Sequence, residues 1–302
     1  MKVPAPASEP GLAGSHPATG SAPLGVDAGS APAFAKAETL WREWNARINV
    51  ISRKDEENIY AHHILHSLAI AEYLRLFYPE DFSRMTAGVC QVSQNSGHLA
   101  QNRPFLFQVS QKSGHLAQSG LSADPQESSG ATILDVGTGG GFPGIPLAMV
   151  LPAADFTLCD SIGKKVRVAQ AVADGLELKN LRCVQSRVEE LPGNWDWVVS
   201  RAVTSLENFY PWVRGRFNRS ILYLKGGDIA SEIAALQRRF KIPASKIRTW
   251  PIASWITGLS ASAGPVAVVP GSSAPAAPAA ETAASDSLQE YYAEKYVIEI
   301  AS

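Results

Sequence analysis

The chain has 302 residues, 45% of them hydrophobic and 18% charged, with a net charge of −1. That is enough apolar material for one large core or two smaller ones, and the balanced charge excludes a whole-molecule cationic binder while leaving room for a local basic patch. No run approaches the roughly 18 apolar residues of a membrane span, and three cysteines (Cys90, Cys159 and Cys183) without metal-ligand spacing read as reduced side chains of a cytoplasmic protein.

Residues 1–33 are mostly Ala, Pro, Gly and Ser. They carry too little large apolar surface to offset their ordering entropy, so a disordered tail is expected. Pro4, Pro6 and Pro10 stand where a signal peptide needs an unbroken apolar run. Order is expected from Phe34. Leu40, Trp41, Trp44, Ile48 and Ile51 recur at helical spacing, predicting a helix that ends between Asn49 and Ser52. Asp55 and Glu56 open a second helix, and the two make a small helical cap over 34–83. His62 and His66 at i, i+4 could hold a metal, but no acidic or thiol partner accompanies them, so no metal is assigned. Residues 84–130 hold a duplication: QVSQNSGHLAQ at 91–101 returns as QVSQKSGHLAQ at 108–118, differing only at Asn95 against Lys112. Two copies rich in Gln, Ser and Gly make poor core and read as an inserted segment.

Residues 131–144 then read ATILDVGTGGGFPG. Ile133, Leu134 and Val136 suit a buried parallel strand that stops at Gly137, and glycines at 137, 139, 140, 141 and 144 let a ligand lie against the main chain. Pro146 fits the first turn of the following helix. A literal G-x-G-x-x-G runs from Gly139 through Gly141 to Gly144. Counted from Gly137, the glycine that directly follows the strand, the third position is Phe142, so the dinucleotide fingerprint fails in its own register. Asp135 puts an acid beside the loop, which suits the cationic S-adenosylmethionine better than a pyrophosphate. A tight turn with no ligand would need one or two glycines and not five.

Strands and helices alternate thereafter: a strand over 156–159 ending in Asp160, a helix over 164–175, strands over 181–184 and 196–199, a helix from Ser205, and a strand over 221–224. Short loops between them predict a parallel sheet covered on both faces, with ligands at the carboxyl ends of its strands. Asp160 falls where an acid can accept from both ribose hydroxyls, or cap the next helix. Residues 257–287 return to Ala, Pro, Ser and Gly and read as a second insertion, so the sheet domain comprises 131–256 and 288–302. A strand over 296–300 closes it.

Seven motifs in order, WNARINVISRKD at 44–55, HHILHSL at 62–68, DVGTGGGFPGIPLA at 135–148, DSIGKKVRV at 160–168, RVEE at 187–190, SRA at 200–202 and LKGG at 224–227, resemble the bacterial small-subunit ribosomal RNA methyltransferase G family (glucose-inhibited division protein B). The resemblance covers about 34–83, 131–256 and 288–302. It implies a Rossmann-like α/β methyltransferase sheet and transfer of a methyl group from S-adenosylmethionine to N7 of a guanine in the decoding-region loop of 16S ribosomal RNA. It also implies cofactor contacts at Gly137, Phe142, Val188, Glu189 and Arg201, to which the loop and the strand-tip acid add Gly139 and Asp160. Guanine N7 has a lone pair and no proton to lose, so no catalytic acid or base is expected and alignment of the reactants suffices. Lys164, Lys165, Arg167, Arg187 and Lys225 fall at strand tips or the helix start beside them, as phosphate contacts would. The expected partner is 16S ribosomal RNA or the small subunit, and the expected state a monomer. Two alternatives share part of this pattern. An NAD-linked oxidoreductase would keep the sheet and Asp160 and bind NADH in place of S-adenosylmethionine; a catalytically silent RNA-binding protein would keep the basic rim without cofactor affinity.

Overall fold

The computed structural model describes residues 31–87, 130–262 and 287–302. Cys90, the duplication at 91–118 and most of both insertions lie outside the described residues. The first helix, α1 (Ala31–Asn45), begins three residues before Phe34 and ends earlier than its apolar spacing suggests. Asn45 stops it: the side-chain oxygen takes the N–H groups of Val50 and Ile51, each at 2.9 Å, which folds the chain back. The second helix is not uniform. A 3-10 segment (Arg53–Asn58) leads into a π-helical one (Ile59–Ile64) and then α2 (Leu65–Phe77), followed by α3 (Pro79–Met85). Met85 is fully buried and Thr86 nearly so, so 84–87 belong to the fold and not to the insertion. Likewise, α8 (Ala253–Ser262) runs past 257.

The sheet has seven strands: β1 (Thr132–Val136), β2 (Asp155–Asp160), β3 (Leu181–Gln185), β4 (Trp195–Arg201), β5 (Phe217–Gly226), β6 (Ile247–Pro251) and β7 (Lys295–Ala301), in the order 3-2-1-4-5-7-6. It is not wholly parallel, since β7 runs antiparallel to both β5 and β6. The last strand therefore lies inside the sheet, with β6 as the edge. Helix α7 (Ile229–Phe240) and β6 add to the expected alternation; β6 is a short edge strand that ends at Pro251, as edge strands tolerate.

Side chains alternate between two buried layers, as the period of a strand requires. Ile133, Phe156, Leu158, Trp197, Val199, Leu222, Leu224 and Val297 pack under α1, α2, α4 (Gly144–Val150) and α5 (Gly163–Gly175). Leu134, Val136, Val198, Ile221, Tyr223, Ile298 and Ile300 pack under α6 (Leu206–Val213) and α7. The N-terminal helices share the first of these clusters with the sheet, their Trp41, Leu68, Ile70 and Tyr73 buried in it. Each fully buried side chain of that size stabilises the fold by roughly 1.5–3 kcal/mol. Strand order reverses between β1 and β4, which opens a crevice at their carboxyl ends.

Candidate functional site

The glycine loop wraps the tip of β1. Its first N–H groups, of Gly137 and Thr138, both donate to Cys159 O on β2, so the loop bends toward the neighbouring strand. Gly137 has φ +69°, and a Cβ there would lie 2.4 Å from Cγ2 of Val203. At Gly144 a Cβ would meet Asp135 Oδ2 at 2.6 Å, because the start of α4 sits directly on that carboxylate.

Asp135 does not face the crevice. It shares strand parity with Ile133, which points it toward α4; it is fully buried, and Oδ2 accepts from Thr138 Oγ1 at 2.6 Å and Gly144 N at 2.8 Å. Burial pushes its carboxyl up to about 7. It fastens the loop from behind, so its charge is no argument for a cation in the crevice. Asp160, at the tip of β2, accepts from Gly139 N at 2.9 Å and Ile162 N at 2.8 Å. Each oxygen keeps a second lone pair, so the carboxylate holds the loop and still has acceptor capacity. The side chain turns back to Ile162 N instead of capping α5, whose N-cap is Ile162.

A cavity of about 380 Å³ lies over these tips, lined among others by Gly137, Asp160, Ser161, Ile162, Lys165, Arg187, Val188, Glu189, Arg201, Ala202, Val203 and Trp212. Of the cofactor residues expected from sequence, Gly137, Asp160, Val188, Glu189 and Arg201 meet there. Gly139 and Phe142 do not line it. Phe142 is buried, stacked on Trp41 at 4.2 Å, with the Arg201 guanidinium 5.0 Å over its ring; it supports Arg201 from beneath. Burial disfavours the charged form of Arg201 and lowers its pKa. It nevertheless has no carboxylate within ion-pair distance among the described residues.

Of the expected basic rim, Lys164, Arg167 and Arg187 are exposed and Lys165 is half-buried at the cavity wall. Lys225 is committed elsewhere. Its ammonium bonds Thr204 O at 3.0 Å and pairs with Glu232 at 2.9 Å, so it is dropped from the phosphate-facing set. His62 and His66 do not converge as a ligand pair: His62 bonds Asp55, whereas His66 is buried against Tyr292. Burial keeps His66 neutral, its pKa well below the ordinary value.

Several residues at or beside the cavity receive no role from the sequence. Trp212 comes from α6, and Ala202, at φ +48°, turns the chain so that Val203 closes over Gly137. Ile162 and Val203, 42% and 38% exposed, are large apolar side chains left open to solvent on the cavity lining. Arg216 is the least legible. Its Nη1 donates to Val188 O at 2.8 Å and Leu191 O at 2.5 Å, and Nη2 to Glu189 O at 2.6 Å. It thereby holds the turn that brings Val188 and Glu189 to the cavity.

A doubly wound sheet whose β7 runs antiparallel between β5 and β6, with a glycine loop at the first strand tip, an acid at the second and a cavity over both, defines a Rossmann-like S-adenosylmethionine-dependent methyltransferase. The comparisons narrow this. The family model GidB, rRNA small subunit methyltransferase G, matches residues 113–253. A ribosomal RNA small subunit methyltransferase G of Flavobacterium psychrophilum is 38% identical over 208 residues, 66% of this chain and 75% of that protein; that of Porphyromonas gingivalis is 36% identical over 227 residues, 72% and 78% respectively. Among solved structures, magnesium protoporphyrin IX methyltransferase from Synechocystis aligns with a TM-score of 0.37 at 14% identity, over 58% of this chain and 72% of that one. The chain belongs to the ribosomal RNA small subunit methyltransferase G family.

Proposed function

We propose that this protein methylates N7 of a guanine in the decoding-region loop of 16S ribosomal RNA, with S-adenosylmethionine held in the cavity over β1, β2 and β4. The observation that carries the reading is the cavity itself: acceptor capacity on Asp160 at one wall and, at another, the Arg201 guanidinium with no carboxylate partner among the described residues, across a loop that lets a ligand reach the backbone at Gly137. Asp160 would take ribose hydroxyls. Val188 and Glu189 open a helical turn, so their N–H groups have no intrahelical acceptor and suit an adenine edge. Gly139 contributes by holding Asp160, and Phe142 by supporting Arg201.

The cofactor supplies an electrophilic methyl group on a positively charged sulfur. The protein's own part is placement. When bound, S-adenosylmethionine would offer its methyl to the N7 lone pair, which has no proton to lose, so alignment by these residues can supply up to roughly 7–11 kcal/mol. Lys164, Lys165, Arg167 and Arg187 along one rim suit phosphate contacts of the RNA strand. The protein acts as a cytoplasmic monomer, and the helices before β1 form a unit with the sheet.

The test is transfer of labelled methyl from S-adenosylmethionine to 16S ribosomal RNA or small subunits by the full chain, mapped by cleavage at N7-methylguanosine. Label at a single guanine of the decoding region is expected. No transfer, together with tight NADH binding, would favour the oxidoreductase reading.

A further inference from the structure

The chain changes helical pitch twice between Arg53 and Leu65, and its middle segment, Ile59–Ile64, is π-helical. Such wide turns sacrifice regular packing and recur where particular side chains must be placed. This one sets two successive histidines against a single carboxylate. Asp55 Oδ1 bonds His62 Nδ1, and Oδ2 lies 2.7 Å from His63 Nε2. A neutral imidazole that donates through Nε2 can only accept at Nδ1, and His63 Nδ1 is 2.9 Å from a guanidinium nitrogen of Arg201. The turn's carbonyls are also engaged. The Tyr292 hydroxyl donates to Ala61 O, while the Tyr291 hydroxyl and Arg201 Nη1 each lie 3.4 Å from His62 O. Tyr291 stacks on His62 with ring centroids 3.6 Å apart.

We infer that Asp55 and His63 are positioning residues for methyl transfer, acting through Arg201; this rests on the reading of the cavity given above. Arg201 is held by three things: the face of Phe142, the carbonyl of His62 and the ring nitrogen of His63. The last is the shorter of the two polar contacts, 2.9 Å against 3.4 Å, and the one side-chain acceptor among the three, its tautomer held by Asp55. A carboxylate in that place would neutralise the guanidinium, whereas neutral imidazole aims it and leaves its charge for the cavity. Packing alone would need no particular atom at Nδ1.

The variants exploit that difference. His63→Phe keeps a ring against Phe142 and removes the acceptor, and His63→Asn carries its amide oxygen near the position of Nδ1. With the full chain at saturating S-adenosylmethionine, His63→Phe is expected to lose about tenfold or more in single-turnover transfer to 16S ribosomal RNA, and His63→Asn to stay within about threefold of the parent. Asp55→Leu leaves Nε2 without an acceptor and the tautomer of His63 unfixed, so it should follow the Phe variant. In an Arg201→Lys background the His63→Phe change should cost less than about twofold. Equal rates for the Phe and Asn variants, or the same loss from His63→Phe with Arg201 replaced, overturn the proposal. Should His63→Phe not fold, Asp55→Leu decides, and a rate within about twofold of the parent overturns it. The parent's rate in the same assay reports on methyl transfer itself, and the Phe-to-Asn comparison on positioning.

Discussion

Arg216 offers the sharpest test of how the adenine side of the cavity is held. Arg216→Met keeps the aliphatic stem and removes the donors to Val188 O, Leu191 O and Glu189 O. A hydrogen bond from a charged donor is worth about 1.5–3 kcal/mol when buried. Here the bond to Glu189 O is exposed and the other two are only partly buried, so water replaces much of what is lost, and a total near 2 kcal/mol is the reasonable magnitude. If that cost falls on the conformation of the Val188–Glu190 turn, affinity for S-adenosylmethionine drops about thirtyfold, since each 1.4 kcal/mol is tenfold. Calorimetric titration of the variant measures it, and a thermal melt shows that the sheet remains, with a loss of no more than about 4–8 °C. Arg214→Met, an exposed arginine two residues earlier, should leave affinity unchanged and serves as the control. Affinity within about twofold of the parent in folded Arg216→Met would refute the reasoning: either the turn holds its own shape, or adenine does not bind there.

Gly137→Ala should abolish cofactor binding in a folded protein, because the new Cβ meets Val203 Cγ2 at 2.4 Å and the backbone sits at φ +69°. Adding Val203→Ala removes the clash and leaves a conformational cost of about 1–2 kcal/mol, so calorimetry should show partial recovery; none would mean that Val203 is not the obstacle. Glu299→Ala strips a buried carboxylate from the hydroxyls of Tyr73, Tyr78 and Ser220 and from Arg248, and should cost about 3–5 kcal/mol in denaturant unfolding. Burial, helped by the Arg201 charge, brings His63 from 6.5 down to about 4. The unfolded chain takes up that proton first as pH falls, so the His63 contribution is complete above pH 6.5 and is lost toward pH 4, a slope of up to about 1.4 kcal/mol per pH unit that His63→Asn should lack in unfolding experiments. Single-turnover transfer, by contrast, should be flat from about pH 6.5 to 8.5, and a tenfold rise per unit there that disappears in a histidine variant would argue for an acceptor whose proton must be removed.

Apolar runs and glycine spacing placed β1, β2, β4 and β5 within a few residues, since a strand buried on both faces is written as a largely apolar stretch; the edge strand β3 was placed by the alternation of elements. The same local logic put Asp160 at a strand tip where the cavity is, and the family resemblance added Val188, Glu189 and Arg201, which line it too. What a side chain does once there depends on neighbours that are remote in sequence. Asp135 looked like a ligand for a cation until the parity of β1 turned it under Gly144, nine residues on. Lys225 looked like a phosphate contact until Glu232, on the next helix, claimed it. Phe142 went into the core because Trp41 offered it a stacking face, and Arg216 reaches the Val188–Glu190 turn from the loop before β5. Each of these is a pairing across the fold, settled by which groups find a partner when water is excluded. A linear pattern records burial and turning at each position, and carries no term for the partner.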